Sequence, residues 1–340
     1  MNEFVHLHLH SHFSLLDGAN KIEPVIEKAV RSGMRALALT DHGNLFGAVQ
    51  FHDTAVKHGI KPIIGCEVYV ARESRKSRSG RSDQSNHLVL LATNEEGYRN
   101  LSRLVSLAYL EGFYYRPRVD KELLSQHSKG LIALSACLKG SVASALSHEN
   151  LEEARTEAGQ LQDIFGVGNF FLEIQDHGIE EQKRVNQGMF QLSRDLGIPL
   201  VATNDCHYLE QEDATAHDVL LCIQTGKTVE DSNRLAYKTN QFFFKTAEEM
   251  QRVFPDHPEA LRRTVEIAER CSFKLETPGF IFPNFDVPPG FTLDSYFEQV
   301  VREGFESRRP HLEQLQQQGR LRHSLDEYLA RLNSEIEMIK

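Results

Sequence analysis

The amino-acid sequence predicts an α/β fold that gathers its chemistry at one end of a sheet. Three observations support this. Apolar, β-rich segments alternate with helix-period segments from the start to about residue 225, the pattern of a parallel α/β domain. Seven β segments can be read, near 4–10, 35–40, 62–70, 87–92, 130–135, 169–174 and 198–204. Almost every one of them ends beside a His, Cys, Asp or Glu. Seven βα repeats are one short of the eight-stranded barrel, so a distorted seven-stranded barrel and an open doubly wound sheet both fit. Both place chemistry at strand C-termini.

The first strand carries His6-Leu7-His8-Leu9-His10-Ser11-His12, with Asp17 close behind. Side chains at i and i+2 share a strand face, so Val5, Leu7 and Leu9 are expected in a core and His6, His8 and His10 together on the opposite face. Imidazoles so spaced can grip one ion or two neighbouring ones, although a solvated polar strand face produces the same run. The helix that follows presents Ile22, Val25, Ile26, Ala29 and Val30 as one apolar face, and Gly33 supplies a stop.

The remaining strands are read by what stands at their ends. Asp41-His42 follows the second, Glu67 lies on the third and Cys137 follows the fifth. Asp176-His177 follows the sixth and Asn204-Asp205-Cys206-His207 the seventh. His87 departs from the rule, because it stands at the start of the fourth strand. Each residue has a plain structural reading when taken singly: Asp41 as a helix cap, Glu67 as the partner of a lysine, Cys137 as a small buried hydrophobe. Together they exceed what one tetrahedral zinc needs. Two or three ions with a bridging carboxylate are therefore implied, Glu67 being the candidate bridge. Zn²⁺ suits the His/Cys subset, and Mn²⁺ or Fe²⁺ the carboxylate-rich part. Clustered divalent ions suit the hydrolysis of phosphodiesters or phosphomonoesters. No G-x-S-x-G elbow, Walker A loop or GxGxxG fingerprint points elsewhere.

Two basic segments are candidate contacts for a phosphodiester backbone. Residues 72–81 form a Ser/Gly-rich basic loop, which also reads as a solvated flexible loop. Tyr114, Tyr115, Arg116 and Arg118 form the other, with aromatic packing at a turn as its plainer reading. Beyond Cys271 the texture changes, with Pro278, Pro283, Pro288 and Pro289 in a linker spanning 272–292. Helices are expected at about 293–307 and 324–340. The last has neither Gly nor Pro to stop it, so the chain reads as cut.

Composition bounds these readings. The 340 residues are 40% hydrophobic and 25% charged, enough for one barrel-sized domain and a smaller piece. No apolar run approaches the roughly 18 residues of a membrane span and no signal peptide opens the chain, so a cytoplasmic location without membrane contact is expected. Five scattered cysteines without C-x-x-C pairs argue against a disulfide framework. A net charge of -10 argues against a general nucleic-acid-binding surface.

The motifs His8-Leu9-His10-Ser11-His12-Phe13-Ser14, Thr40-Asp41-His42-Gly43-Asn44, Gly65-Cys66-Glu67, Ser135-Ala136-Cys137 and Asn204-Asp205-Cys206-His207 resemble the polymerase and histidinol phosphatase (PHP) domain. More narrowly, Ser14-Leu15-Leu16-Asp17-Gly18-Ala19, Leu45-Phe46-Gly47-Ala48-Val49, Gly59-Ile60-Lys61-Pro62-Ile63-Ile64-Gly65, Ala108-Tyr109-Leu110-Glu111-Gly112-Phe113-Tyr114 and Phe242-Phe243-Phe244-Lys245-Thr246 are similar to the N-terminal region of the alpha subunits of bacterial DNA polymerase III.

The resemblance implies a distorted (β/α)7 barrel of the PHP type over 1–271, then the linker, then over 293–340 the truncated helical start of a polymerase palm. It implies up to three metals: one on His8, His10, Glu67 and Asp205, a second on Glu67, His87 and Cys137, a third on Asp17, His42 and His207. His6, His12 and His177 become supporting or substrate-facing candidates. The attacking hydroxide is expected beside Glu67, Asp205 and His207. The preferred activity is a 3′-5′ proofreading exonuclease on the 3′ end of single-stranded DNA, with other polymerase domains and replisome subunits as partners. The alternatives are a metal-stabilised structural or docking module and a stand-alone small-molecule phosphatase. Polymerisation is not expected, because the palm carboxylates would lie beyond Lys340.

Overall fold

Two interleaved apolar phases shape the sheet. A computed structural model describes residues 4–78, 85–276, 279–280 and 282–340. Its strands are β1 (Ala36–Leu39), β2 (Lys61–Ala71), β3 (Ser85–Ala92), β4 (Arg118–Val119), β5 (Leu131–Leu134), β6 (Phe170–Ile174) and β7 (Leu200–Ala202). They pair in the order β1-β2-β3-β5-β6-β7, with β4 attached to β2. Leu37, Leu39, Leu88, Leu90, Ala133 and Leu172 join the core shared with the helices. Their neighbours Ala36, Ala38, Val89, Leu91, Ile132, Leu134, Phe171 and Val201 form a separate inner core with Val5 and Leu7. A strand buried on both faces reads as continuously apolar because the period of two fills both cores.

The helices of the first compact unit, Met1–Leu275, are α1 (Ile22–Arg31), α2 (Ala48–Lys57), α3 (Glu95–Leu110), α4 (Lys121–Gln126), α5 (Ser141–Ser147), α6 (Leu151–Phe165), α7 (Glu180–Leu196), α8 (Ala214–Thr225), α9 (Ala247–Val253) and α10 (Pro258–Arg270). Helix α1 buries Ile22, Val25, Ile26 and Ala29. Val30, expected on that face, is 42% exposed, since it lies one residue past the stripe. From α10 and its C-cap, Ile267, Ala268 and Cys271 enter the inner core.

Two differences from the sequence reading bear on function. Residues 4–10 are extended but form no regular strand, because the chain bends at His8 and only the isolated bridge between Leu9 and Cys206 is regular. The segment nonetheless closes the sheet. Ala38 N–H donates to His6 O at 2.9 Å on the β1 side, and Cys206 N–H donates to His8 O at 3.2 Å on the β7 side. This closure makes the sheet a distorted barrel and excludes the open doubly wound arrangement.

The sheet is also not wholly parallel. Strand β3 runs antiparallel to both β2 and β5, while β1 with β2, β5 with β6 and β6 with β7 are parallel. No helix crosses from β2 to β3 among the described residues, so the chain returns directly and must reverse. The reversal brings the start of β3 level with the C-terminal ends of β2 and β5 on either side of it, which resolves the apparent exception of His87.

The second unit, Glu276–Lys340, contains α11 (Leu293–Gln317) and α12 (Leu325–Ile339). Thr292 and Ser324 cap their N-termini. Helix α11 runs ten residues past the expected end near 307, through Pro310. Arg302 Nη1 donates to Asn333 Oδ1 at 2.9 Å between the two helices. Pro278 of the expected linker lies outside the described residues. All five cysteines are free thiols, and no described helix is long and apolar enough to cross a membrane.

Candidate metal centre

The inward phase of the strands changes character at one end of the barrel. Along β2 it runs Ile63, Gly65, Glu67, Tyr69; along β6, Phe171 then Glu173; and beyond β7, Val201, Thr203, Asp205. On β3 it runs backwards, through Leu91 and Val89 to His87, which pairs with Tyr69. The inner face is thus apolar through the barrel and polar at its rim.

Glu67 is the hub. Its Oε2 lies 3.6 Å from His8 Nε2, 3.3 Å from His10 Nε2 and 2.7 Å from His42 Nδ1. Its Oε1 lies 2.5 Å from His87 Nδ1 and 3.9 Å from Cys137 Sγ. Asp205 Oδ1 stands 3.2 Å from His8 Nε2 and 3.1 Å from His10 Nε2. Asp17 reaches His42 Nε2 at 3.2 Å and His207 Nε2 at 3.8 Å. All nine side chains named from the sequence converge in one nest. Within it His8, His10 and Glu67, then His42, Glu67 and His87, and also His10, His42 and His207, are each close enough to share an ion.

The atoms left unpaired fit a cation. His8 Nε2, His10 Nε2, His42 Nδ1, Asp17 Oδ1, Glu67 Oε2 and Asp205 Oδ1 are buried without a hydrogen-bond partner. Each such atom costs about 1–3 kcal/mol if nothing satisfies it. Meanwhile the opposite ring nitrogens are held: His8 Nδ1 by Glu173 Oε1 at 2.7 Å, His10 Nδ1 by Ser14 Oγ at 3.0 Å, and His207 Nδ1 by Asp205 O at 2.8 Å. Binding one nitrogen fixes the ring and turns the other toward the nest, the arrangement in which metal-ligating histidines are held.

Electrostatics agree. Burial would raise Glu67, but His87, His42 and His8 hold it well below the usual carboxylate range, and His8 and His207 do the same for Asp205. Burial would lower His8, but Asp205, Glu173 and Glu67 raise it well above its ordinary value. Burial, Glu67 and Asp205 push the Cys137 thiol up, so it becomes a thiolate only beside a cation. Asp205 (φ 44°) and Ala136 (φ 63°), next to Cys137, hold left-handed backbone. For residues other than glycine this costs on the order of 1–3 kcal/mol and clusters at functional sites.

Other candidates point away. His6 does not share a face with His8 and His10. The bend at His8 turns it into a pocket where Nε2 meets Lys245 O at 2.8 Å and the ring packs on Phe4 and Phe244. His12 sits against Phe13, and His177 stacks on Phe242 with Nε2 on Asn204 O at 2.9 Å. Asp41 accepts from Ser11 N, Ser11 Oγ and Ser14 Oγ. Asp176 accepts from Gly178 N, and Cys206 Sγ faces His6 Nδ1 at 3.3 Å.

Sequence reasoning missed Glu173 and Tyr237. Glu173 was legible, since it lies two residues from Phe171 in the inward phase of β6; Thr203 Oγ1 also donates to it. Tyr237 comes from an irregular segment after α8 and had no local signal. Its hydroxyl lies 3.1 Å from His207 Nε2 and 3.4 Å from Asp17 Oδ2.

Comparison with known proteins adds independent information. The family model described as "PHP domain" matches residues 6–177. DNA polymerase III subunit alpha of Borreliella burgdorferi is 49% identical over 92% of this chain and 27% of its own length. The same subunit of Treponema pallidum is 49% identical over 90% of this chain and 26% of its own length. The chain thus spans roughly a quarter of these relatives. Among solved structures, an amidohydrolase from Chromobacterium violaceum overlaps 61% of this chain and 88% of its own at a TM-score of 0.36 and 16% identity. A likeness that loose decides nothing about the chemistry.

Proposed function

The chain belongs to the PHP domain family, and from that premise we propose that it hydrolyses phosphodiesters at a multinuclear metal centre, removing nucleotides from the 3′ end of single-stranded DNA. By its kinship with polymerase III alpha subunits it would do so in the cytoplasm as the proofreading part of a replicative polymerase. The observation that carries the reading is the set of buried, unpaired donor atoms turned inward around Glu67.

His8, His10, Glu67 and Asp205 would hold one ion, Glu67, His87 and Cys137 a second, and Asp17, His42 and His207 a third. Two or three divalent ions, Zn²⁺ at the His/Cys donors and Mn²⁺ or Fe²⁺ at the carboxylate-rich ones, would supply Lewis acidity toward phosphate oxygens and activate water. Glu173 and Ser14 keep His8 and His10 in the tautomer that leaves Nε2 free. Glu67, Asp205 and His207 would orient the attacking water. Tyr237 keeps its proton, because burial and Asp17 raise its pKa well above normal, so its hydroxyl can donate to an incoming oxygen.

The chain loaded with Mn²⁺ or Zn²⁺ is expected to shorten single-stranded DNA from its 3′ end, and His8→Ala or Asp205→Ala to abolish this. Retained cleavage in either variant overturns the assignment. A second reading, a metal brace that stabilises the barrel or docks other subunits, draws on the full burial of His8 and His10 at the segment that closes the sheet. It expects chelation to lower the melting temperature of a chain that hydrolyses nothing.

A further inference from the structure

The two basic segments read from the sequence have different fates, and their remnants meet in one cavity. Arg75 is buried and paired with Asp120 (2.9 Å) and Glu111 (2.8 Å). Arg118 is fully buried and donates to the carbonyls of Gly112, Arg75 and Ser77. Arg78 donates to Glu111 O. These arginines hold the loop together. Residues 79–81 lie outside the described residues.

Arg72, Asn86, His87, Tyr115, Arg116 and Lys139 instead line a cavity of about 980 Å³, at the top of the roughly 300–1,000 Å³ range of ligand sites. Among the described residues no carboxylate lies within ion-pair distance of Arg72, Arg116 or Lys139. Lys121 also reaches the cavity but is taken up by Glu157 at 2.6 Å. The cavity abuts the metal centre. The Arg116 guanidinium lies 4.9 Å from the Tyr69 ring, which in turn packs on His87 at 5.2 Å and His42 at 6.0 Å. The Lys139 carbonyl accepts from His87 N at 3.0 Å and Asn86 Nδ2 at 3.1 Å. Tyr115 is 72% exposed and holds left-handed backbone at φ 57°, a strained conformation that presents an aromatic ring to solvent.

We propose that this cavity is the strand-binding site of the metal centre, taking the phosphodiester backbone of a single-stranded nucleic acid on Arg72, Arg116 and Lys139 and stacking a base on Tyr115. The proposal rests on the phosphodiesterase reading for its purpose but not for its test. A chain with net charge -10 has no general affinity for polyanions, so three cations that lack a carboxylate partner among the described residues form a local exception beside the nest. Phosphate contacts supply affinity through counterion release, and base–aromatic stacking tolerates any sequence.

The test is fluorescence anisotropy of the full chain with a labelled oligothymidylate in EDTA, where no hydrolysis occurs and no ion contributes. If the hydrolytic reading fails, this measurement still reads the cavity. The wild type is expected to bind with a log–log salt slope of about -2, three phosphate contacts at roughly -0.7 each. Arg116→Glu is expected to weaken binding at least tenfold, Lys139→Glu and Arg72→Glu several-fold each, and Tyr115→Ala several-fold without changing the slope. Arg116→Lys should restore most of the loss. Arg99→Glu, the same charge change on exposed α3, should have little effect. The melting temperature of each variant verifies its fold. Unchanged affinity in Arg116→Glu, an equal loss in Arg99→Glu, or tighter binding of thymidine monophosphate than of the oligonucleotide overturns the proposal. An RNA strand bound as well as DNA supports recognition of the backbone, whereas a DNA preference supports a contact to the sugar.

Discussion

His6 and His8 stand two residues apart and are both fully buried, yet they live in opposite environments. His8 faces Asp205, Glu173 and Glu67, whose charges overcome burial and raise its pKa well above normal. His6 lies on the other side of the bend, among Phe4, Phe244 and Lys245, where burial lowers its pKa to about 3. Burial is therefore not what makes a histidine a ligand. The nest holds donors whose free atoms lack partners; the pocket behind it holds a neutral imidazole whose nitrogens are used.

The largest expected effect breaks the nest itself. His8→Ala or Asp205→Ala should lower the proposed nuclease activity at least about a hundredfold and reduce bound metal, as read by elemental analysis of the purified chain. Glu173→Gln sharpens the point, since it leaves all nine donors in place and removes only the charge that orients His8. Metal affinity measured against a competing chelator should fall roughly 10–100-fold. No change would mean that His8 is held by packing alone.

The pocket makes a different prediction. His6 has a folded pKa of about 3 against 6.5 when free, so between those values the native state binds fewer protons than the unfolded chain. Its contribution is complete above pH 6.5 and is lost as pH falls toward 3. In chelated protein, stability by denaturant titration should drop between pH 7 and pH 5 by about 2 kcal/mol more in the wild type than in His6→Gln, where no imidazole titrates. Equal slopes would show that other groups dominate. The smallest effect is expected at the rim. Tyr237→Phe removes the hydroxyl that engages His207 Nε2 and should raise metal affinity there roughly two- to tenfold, the worth of one hydrogen bond of about 0.5–1.5 kcal/mol. It would be read as a shift in the weakest step of a metal titration.

Much of this could be read along the chain. The period of two in β6 and β7 foretells which residues face inward, and the donors at the strand ends name the chemistry. Glu173 obeys the same rule but stands one residue before the end of β6 rather than beyond it. Residues 72–81 and 114–118 show the limit of such reading. Arg75 and Arg118 look like Arg72 and Arg116 in sequence, and only the carboxylates and carbonyls packed around the first pair make them struts, while among the described residues the second pair has no carboxylate partner.

By itself the sequence determined the donor inventory, the apolar phases and six of the seven strands, the two-residue β4 being too short to leave a pattern, because each depends on residue type and local period. Tertiary structure alone decided the direction of β3, which brings His87 to the rim, and the bend that parts His6 from His8. It also decided the joining of His8 to Glu173 across 165 residues. Those depend on which strands pair and how the chain closes, and pairing between distant segments leaves no periodic trace in either one.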